Sequence, residues 1–419
     1  MSRLESSNGV SRREFLKGAA ATTAAVATFH IIRSASAQEA KPLKVGLIGC
    51  GGRGVGSARD AMRAAPNVKV VALADLFQDR VMGAREALNR EGADIPESRC
   101  FVGFDAYKKL LETDVDIVSL CTPPGFRPQH FEAAINAGKH VFMEKPVAVD
   151  PVGCRRMFAA GKKADEKKLC VVAGTQRRHQ KNYIDTIRRI KEGAIGQITS
   201  ARAYWCQGEL WSVPRRPEWS DVEWQIRNWL YFTWLSGDHI VEQHVHNLDV
   251  INWVMGTHPI RAFGMGGRQK RTDPQFGHIY DHFAVDYEYP GNVHMMSMCR
   301  QQNGTDGNVS EFVVGTKGMS DCASGIWDLS GNSIWRSTGG RNPYEQEWAD
   351  LIEAIRTGKH INETQAVTES TLTAIMGRIS AYTGKVVTWD QMMQSNLSLV
   401  PEEVKFGPMP VPPVAIPGQ

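Results

Sequence analysis

The chain has 419 residues and a net charge of +4. Its first 37 residues carry five basic and two acidic side chains, so the remainder is close to +1, with both signs interspersed. This balance excludes the strongly basic surface that nucleic acid or an anionic membrane attracts, and we expect neither partner.

The first predicted element is an export signal. Paired arginines stand in the run Ser-Arg-Arg-Glu-Phe-Leu-Lys at 11–17, and an Ala/Thr-rich stretch at 18–32 leads to an Ala-x-Ala pattern ending at Ala37. These features predict a twin-arginine signal over 1–37 and a periplasmic protein. The apolar stretch is too short, and too poor in Leu and Ile, to span a membrane. Because this route carries folded chains, an exported enzyme can take its cofactor along but must then regenerate it.

A glycine-rich turn follows the first predicted strand, 43–49. It reads G-x-G-x-x-G and precedes a helix that we expect to begin near Val55. Glycines at these places permit a tight turn, close approach of a pyrophosphate and close packing of helix on strand. The helix N-terminus also favours the phosphate charge. The segment therefore predicts a dinucleotide site formed by Gly49, Gly51, Gly52, Arg53 and Gly54.

The second predicted strand, 68–74, leads into Asp75. A carboxylate at this place accepts hydrogen bonds from the ribose hydroxyls and repels a 2′-phosphate, which favours NAD over NADP. Arg80 lies nearby and keeps NADP open as the alternative. Since an exported enzyme has no obvious cofactor pool, we expect the NAD to be tightly bound.

Strand-like and helical runs alternate as far as residue 175. Further strands are predicted at 116–121, 140–143 and 170–173, and Gly138 is well placed to end the helix before the second of these. This alternation is typical of a parallel sheet covered on both faces. We therefore predict a Rossmann domain over 38–175.

Two motifs at predicted strand ends point to a family. Thr-Pro-Pro at 122–124 is followed by His130, and Glu-Lys-Pro at 144–146 follows the run Ala-Gly-Lys-His-Val at 137–141. With the glycine turn, they make the chain resemble the glucose–fructose oxidoreductase/inositol dehydrogenase/rhizopine catabolism (Gfo/Idh/MocA) family over nearly all of its length after the signal. The resemblance implies a Rossmann domain, then a domain with an open-faced, largely antiparallel sheet, and a homo-oligomer (dimer or tetramer). It also implies a cofactor site extended by Thr122, Pro124, His130, Glu144, Lys145 and Gln176.

Lys145 is the first candidate catalytic residue. It stands at the carboxyl end of a parallel strand, where such sheets bind ligands. A lysine there can hydrogen-bond a substrate hydroxyl and assist its deprotonation as hydride leaves the same carbon. A surface lysine at a strand end is the alternative reading of the position alone, and the resemblance favours catalysis.

A tryptophan-rich segment follows. Six tryptophans fall within thirty residues, interleaved with charged and amide side chains: Trp205, Trp211, Trp219, Trp224, Trp229 and Trp234. Indole faces stack on sugar rings while polar groups read the hydroxyls, which favours a sugar or glycoside over a small acid. We predict Trp205 and Trp234 at the substrate, with Arg177 as a further pocket residue. The other tryptophans are expected in the core or an interface.

The second half of the catalytic site is predicted at 242–249. The family pattern is Asp-x-Gly-x-His-x-x-Asp, and this chain has Glu242, His244, His246 and Asp249 at the four positions. Glu242 and His246 are four residues apart, hence on one helical face, where the carboxylate can orient the imidazole of a general base. His244 and Asp249 are predicted at the substrate. A metal cluster of Glu242 and the two histidines is the alternative, but helical spacing turns the histidines apart, and we expect no metal.

From about residue 196 the sequence pattern changes from alternating strands and helices to successive strands. Strands are predicted at 197–206, 259–266, 281–289, 293–299 and 311–314, and helices near 343–357 and 364–382. Strands gathered in this way predict an α+β domain over 176–400. A proline-rich tail, 401–419, is predicted to be extended and to contact another subunit.

These features predict an NAD-dependent oxidoreductase acting on a secondary hydroxyl of a sugar, polyol or glycoside. The alternative is a redox-neutral glycosidase similar to glycoside hydrolase family 109, in which oxidation, elimination, water addition and reduction use one NAD. Export favours that closed cycle, but the chain lacks the Tyr-Pro-Thr-His-Gly stretch of family 109. A non-catalytic sugar-binding protein is a third reading, and the presence of both Lys145 and His246 argues against it.

Overall fold

A computed structural model describes residues 42–419, and its first layer is a six-stranded sheet. The strands are parallel in the order β3-β2-β1-β4-β5-β6. Their bounds are β1 Leu43–Ile48, β2 Val68–Asp75, β3 Cys100–Val102, β4 Ile117–Leu120, β5 His140–Met143 and β6 Val171–Ala173. The five predicted strands are confirmed. The sequence missed β3, because three half-exposed residues are too few to show a hydrophobic period.

Five helices connect these strands. They are α1 Gly52–Ala64, α2 Gln78–Asn89, α3 Ala106–Leu111, α4 Arg127–Asn136 and α5 Pro151–Glu166. α1 begins at Gly52, three residues before the predicted start at Val55, and no side chain caps it. α4 ends two residues before Gly138, which adopts a left-handed φ of 71°. The fold thus brings the carboxyl ends of β1, β2, β4 and β5 to one edge of the sheet.

A short helix α6, Lys181–Lys191, leads into the second sheet. Its nine strands run β14-β13-β12-β11-β7-β10-β9-β8-β15, and only the β7–β10 pair is parallel. The strands are β7 Ile198–Gln207, β8 Arg261–Gly267, β9 His282–Tyr289, β10 Val293–Gln301, β11 Asn308–Gly315, β12 Gly318–Ser320, β13 Gly325–Asp328, β14 Ser333–Arg336 and β15 Val387–Thr388. The predicted combination of a Rossmann sheet with a largely antiparallel second sheet is confirmed.

The remaining helices cover one face of this second sheet or link the two layers. They are α7 Asp221–Arg227, α8 Thr233–Ser236, α9 His239–Glu242, α10 Val245–Met255, α11 Pro343–Thr357, α12 Thr364–Thr383 and α13 Trp389–Gln394. The other face carries large apolar side chains that are 39–65% exposed: Phe263, Met265, Met296 and Met298. Alternation along the strands explains this face, since neighbouring residues point to opposite sides of a sheet.

Helix α11 comes late in the chain but packs on the first sheet. The Trp348 ring stacks on Phe142 with centroids 4.5 Å apart, and its Nε1 donates to Ser57 Oγ at 3.2 Å. The first turn of α11 therefore reaches the edge where the parallel strands end. The predicted domain boundaries stay predictions.

The tail after residue 400 contacts its own chain, and its predicted contact with another subunit stays a prediction. Met409 N donates to Asp221 Oδ2 at 2.9 Å, and Tyr280 Oη donates to the Ala415 carbonyl at 2.9 Å. The predicted signal at 1–37 lies outside the described residues. Within 42–419, no helix combines the length and apolar character that a membrane crossing requires.

Candidate active site

A groove of about 440 Å³ lies over the glycine turn. Its lining includes every predicted member of the turn, from Gly49 to Gly54, together with Asp75. Gly49 has a φ of 99°, and a Cβ there would meet the Cys121 carbonyl carbon at 2.5 Å. A Cβ on Gly54 would lie 1.9 Å from the Gly49 carbonyl oxygen. The turn therefore needs glycine at both ends.

The groove fits a dinucleotide. Because no side chain caps α1, the N–H groups of its first turn are free for an anion such as a pyrophosphate. Asp75 accepts hydrogen bonds from Cys50 N at 2.7 Å and Phe77 N at 3.0 Å, which fixes its carboxylate beside the groove. Burial raises the pKa of Asp75, and these two donors oppose that rise. Asp75 therefore lies at the end of β2 beside the groove, and its role as a ribose-binding carboxylate stays a prediction.

A smaller apolar cavity adjoins this groove and contains His130. Its imidazole lies between the rings of Tyr107 and Phe126, and its Nδ1 is 3.2 Å from Thr122 Oγ1. Burial lowers the pKa of His130 to about 3, so the ring is neutral. Aromatic and apolar walls of this kind suit a nucleobase. Thr122 and His130 both line this apolar cavity, and Thr122 also lines the groove.

A second cavity, of about 320 Å³, lies at the carboxyl ends of β4 and β5. It brings together most of the predicted catalytic and cofactor residues: Arg53, Thr122, Pro124, Glu144, Lys145, Gln176, Glu242 and His246. Arg53 and Thr122 line both this cavity and the groove. The cavity and the groove therefore adjoin, the arrangement that hydride transfer between two bound ligands requires.

Lys145 and Glu242 form a nearly buried ion pair in this cavity. Lys145 Nζ lies 2.9 Å from Glu242 Oε1 and 2.5 Å from the Glu242 carbonyl oxygen. The two side chains are 11% and 13% exposed. Two acceptors on one residue fix the ammonium group and leave its third proton for a ligand in the cavity.

His246 lines the same cavity, but Glu242 does not orient it. The expectation of one helix through both residues is wrong, because α9 ends at Glu242 and α10 begins at Val245. The imidazole instead stacks on Trp205, with centroids 5.6 Å apart and planes 20° apart. Burial, then Lys145, lowers the pKa of His246 well below its usual range, so the ring is neutral and able to accept a proton.

Glu144 contacts the cofactor turn directly. Its Oε1 is 2.5 Å from Arg53 Nε, and Arg53 also reaches Asp60 at 3.2 Å and the buried Glu347 at 3.4 Å. Burial, reinforced by the charge of Glu144, raises the pKa of Glu347. Arg53 thereby connects the glycine turn to the Glu-Lys-Pro motif.

Three residues predicted at the substrate lie elsewhere. Trp234 is 6% exposed and donates to Gln225 Oε1 at 2.7 Å, so it belongs to an aromatic core. His244 Nε2 pairs with Ser297 Oγ at 2.7 Å beneath the second sheet, where burial lowers its pKa to about 3. Asp249 is buried against Arg178, Nε to Oδ2 at 2.9 Å. Each has a partner within the protein and lines neither cavity, although His244 Nδ1 is buried without a hydrogen-bond partner in the described residues.

The two other predicted substrate residues lie behind His246. The His246 imidazole stacks on the Trp205 indole, and the Arg177 guanidinium lies 5.7 Å from the centroid of the Trp205 ring. Arg177 is ion-paired with Glu311. Neither residue lines the 320 Å³ cavity.

Sequence reasoning missed several residues of the site, among them Tyr344, Trp229 and Arg127. Tyr344, from the first turn of α11, lines the catalytic cavity near Gln176, and Trp229 lines both cavity and groove. The buried Arg127 donates to the carbonyls of Leu120 at 2.6 Å, Thr122 at 2.8 Å and Pro146 at 3.2 Å, and so fixes two strand ends. The tryptophan run signalled Trp229, whereas no local pattern signalled Tyr344 or Arg127.

Glu242, His244 and His246 do not form the alternative metal cluster. Across residues 42–419, no group of three or more His, Cys, Asp or Glu side chains is arranged to hold a metal ion.

Comparison with known proteins identifies both layers. A model described as an oxidoreductase family with an NAD-binding Rossmann fold matches residues 43–174, and the GFO/IDH/MocA C-terminal domain model matches 184–320. A model of the twin-arginine translocation pathway signal matches 9–29 and confirms the predicted export signal.

Curated relatives match over part of their length. Inositol 2-dehydrogenase of Salmonella typhimurium is 27% identical over 214 residues, which are 51% of this chain and 54% of that protein. The dTDP-3,4-didehydro-2,6-dideoxy-alpha-D-glucose 3-reductase of Actinomadura kijaniata is 30% identical over 227 residues, 54% of this chain and 56% of that protein. The chain thus spans about half the length of the curated relatives it matches.

Solved structures share the fold. Aldose-aldose oxidoreductase from Caulobacter crescentus, complexed with glycerol, superimposes with a TM-score of 0.65 at 19% identity, over 83% of this chain and 100% of that one. Levoglucosan dehydrogenase, in complex with NADH and levoglucosan, gives a TM-score of 0.66 at 18% identity, over 83% and 99%. At these identities the similarity establishes the architecture alone.

Proposed function

The chain belongs to the Gfo/Idh/MocA family of oxidoreductases, and on that premise we propose that it oxidises or reduces a secondary hydroxyl of a sugar, polyol or glycoside with NAD. The observation that carries this proposal is the Lys145–Glu242 pair facing His246 in one cavity, next to a groove that fits a dinucleotide. NAD, when bound, supplies the hydride acceptor or donor.

The protein's own groups manage the proton. Lys145, fixed by Glu242, donates a hydrogen bond to the substrate hydroxyl and stabilises the developing alkoxide. Burial and nearby cations lower the pKa of His246, which keeps its imidazole neutral and leaves a ring nitrogen free as the acceptor of the hydroxyl proton. In the reverse direction, the same two groups return the proton to the carbonyl oxygen.

The substrate class rests on the cavity walls. Trp229 and Tyr344 supply aromatic surface, while Gln176 and the Lys145–Glu242 pair supply polar groups. Aromatic walls with few fixed polar groups suit a sugar-like ring. Relatives named for inositol, a deoxyglucose derivative and levoglucosan support this class.

We propose further that NAD is held tightly by a clasp, which we define as Phe77, Asp79, Arg227 and Phe406. Arg227 lies 3.7 Å over the Phe77 ring and pairs with Asp79 through two contacts of 3.2 Å. The Phe406 ring, from the tail, packs on Phe77 with centroids 6.2 Å apart. Phe77 and Arg227 both line the groove, so the clasp joins the segment after β2 to α7 at the groove wall.

Replacing Arg227 by alanine should raise the NAD dissociation rate about tenfold, because it removes a partly buried cation–π contact and both contacts to Asp79. The rate is measured by mixing NAD-loaded protein with a scavenger and following release. Arg216→Ala is the matched control, since Arg216 stacks on Trp219 and is 66% exposed. Equal rates for Arg227→Ala and wild type contradict the clasp.

We propose a periplasmic location, supported by the signal. Export also favours a second candidate, the redox-neutral glycosidase, because one retained NAD then serves every turnover. The two candidates share Lys145 and His246 but differ in net redox change.

One experiment decides between them. Purified protein is assayed first for bound NAD after denaturation, then with free sugars plus NAD, and with nitrophenyl glycosides without added NAD. We expect one NADH for each sugar oxidised. Release of the aglycone without added NAD and without net formation of NADH would identify the protein as the redox-neutral glycosidase. If the protein neither binds NAD nor shows either activity, both candidate functions are rejected.

We also propose a homo-oligomer, dimer or tetramer, formed through the exposed face of the second sheet. The apolar side chains on this face, Phe263, Met265, Met296 and Met298, support an interface, since isolated monomers rarely expose such patches.

A further inference from the structure

No hydrogen bond within the described residues orients the imidazole of His246. No side chain within 42–419 hydrogen-bonds its ring nitrogens, and the carboxylate expected to do so, Glu242, is engaged by Lys145. A catalytic histidine is usually oriented by such a bond. The contact that defines the imidazole plane here is its stack on Trp205.

Trp205 is itself rigidly held. Its Nε1 donates to Gln207 Oε1 at 2.9 Å, and Gln207 Nε2 donates to Gln243 Oε1 at 3.1 Å, in the turn between α9 and α10. The Arg177 guanidinium also lies 5.7 Å over the indole and is anchored by the buried Glu311. The indole thus connects the end of β7 to the segment that carries His246.

We propose that Trp205 is a positioning residue that holds the His246 imidazole toward the substrate, in the place of an orienting carboxylate and not as a platform for the sugar. This inference rests on the proposed function, in which His246 accepts the hydroxyl proton. It also explains why Trp205 lies behind the cavity wall and not in the lining.

Trp205 also shields His246 from water. The charged groups facing the imidazole are the cations Lys145, Arg177 and Arg53, with Glu242 paired to the first. Burial is the largest cause of the lowered pKa of His246, ahead of those cations. Removing the indole admits water, so the pKa of His246 rises toward its usual range.

The test compares Trp205→Ala with the conservative Trp205→Phe. For Trp205→Ala we expect kcat to fall about 30-fold with KM for the sugar within about threefold, because a misaligned base slows chemistry more than binding. The acidic limb of the pH profile should move to higher pH. Trp205→Phe keeps an aromatic face and should restore most of both properties.

A second readout needs no substrate. Diethyl pyrocarbonate modifies neutral imidazoles, and peptide mass spectrometry gives the modification of His246 as a function of pH. Trp205→Ala should raise its midpoint, while Trp205→Phe and the control Trp335→Ala, on the distant strand β14, leave it unchanged. The labelling tests the role of Trp205 even if the protein turns over no sugar. Absence of turnover would count against the proposed function but not against the positioning role of Trp205.

Two outcomes overturn the inference. An unchanged His246 midpoint in Trp205→Ala shows that the indole does not shape the environment of the imidazole. A raised KM with unchanged kcat shows that Trp205 is a sugar platform. If Trp205→Ala does not fold, Gln207→Leu replaces it, because loss of the indole anchor should shift the same midpoint in the same direction by a smaller amount.

Discussion

Replacing Lys145 by methionine is expected to lower kcat/KM by about 1000-fold, the range of a general acid–base group. Methionine has a similar length but cannot donate a hydrogen bond, so the alkoxide loses its stabilising charge. The change also leaves the carboxylate of Glu242 without its cation in a cavity where it is 13% exposed. Steady-state kinetics with the preferred sugar measures the loss.

Two controls separate chemistry from folding for this variant. Lys109→Met, on the exposed side of α3, should retain full activity and stability. NAD affinity of Lys145→Met should stay within a few-fold of wild type, because the turn and Asp75 are untouched. Turnover within tenfold of wild type would remove Lys145 from the mechanism under either candidate function.

The parts of the site that the sequence predicted are those encoded by local geometry. The glycine turn, Asp75 and Lys145 each lie at or just after the carboxyl end of a β-strand, and parallel strands place these ends at one edge of the sheet whatever the strand order. The position of Lys145 in the sequence does not show which residue it pairs with, however. Lys145 meets Glu242 across 97 residues of sequence, and the break between α9 and α10 that makes this possible has no local pattern.

The substrate side was predicted less well for a related reason. The number of aromatic residues in a segment does not determine which face of a short helix is buried. Trp234, on the four-residue α8, points into an aromatic core, while Trp229, five residues earlier, reaches the cavity. Tyr344 enters only because Trp348 docks α11 on the first sheet. Such placements depend on tertiary packing and not on local propensity.

The groove and the export signal bear on one another. The clasp joins the first sheet to α7 and to the tail, segments separated by more than a hundred residues, so it exists only in the folded chain. A route that carries folded proteins preserves such a clasp and any cofactor beneath it. The proposed retention of NAD is therefore consistent with export by this route.

Replacing Gly54 by alanine is expected to weaken NAD binding by at least about 100-fold. The new Cβ would lie 1.9 Å from the Gly49 carbonyl oxygen, and a backbone atom cannot move aside as a side chain can. The first turn of α1 must therefore shift away from β1, and its N–H groups lose their alignment on the pyrophosphate. Two hydrogen bonds to a charged group contribute about 3 kcal/mol or more, which corresponds to this loss.

The matched control for Gly54→Ala lies two residues further along the same helix. Gly56→Ala places a Cβ 3.6 Å from Arg53 Nη1, an ordinary contact, and alanine favours the helix by about 1 kcal/mol, so folding and NAD affinity should be kept. Isothermal titration measures the affinity, and near-ultraviolet circular dichroism reports the fold. If Gly54→Ala binds NAD as tightly as Gly56→Ala, the pyrophosphate is not held by this turn, and the groove over it loses its assignment as the cofactor site.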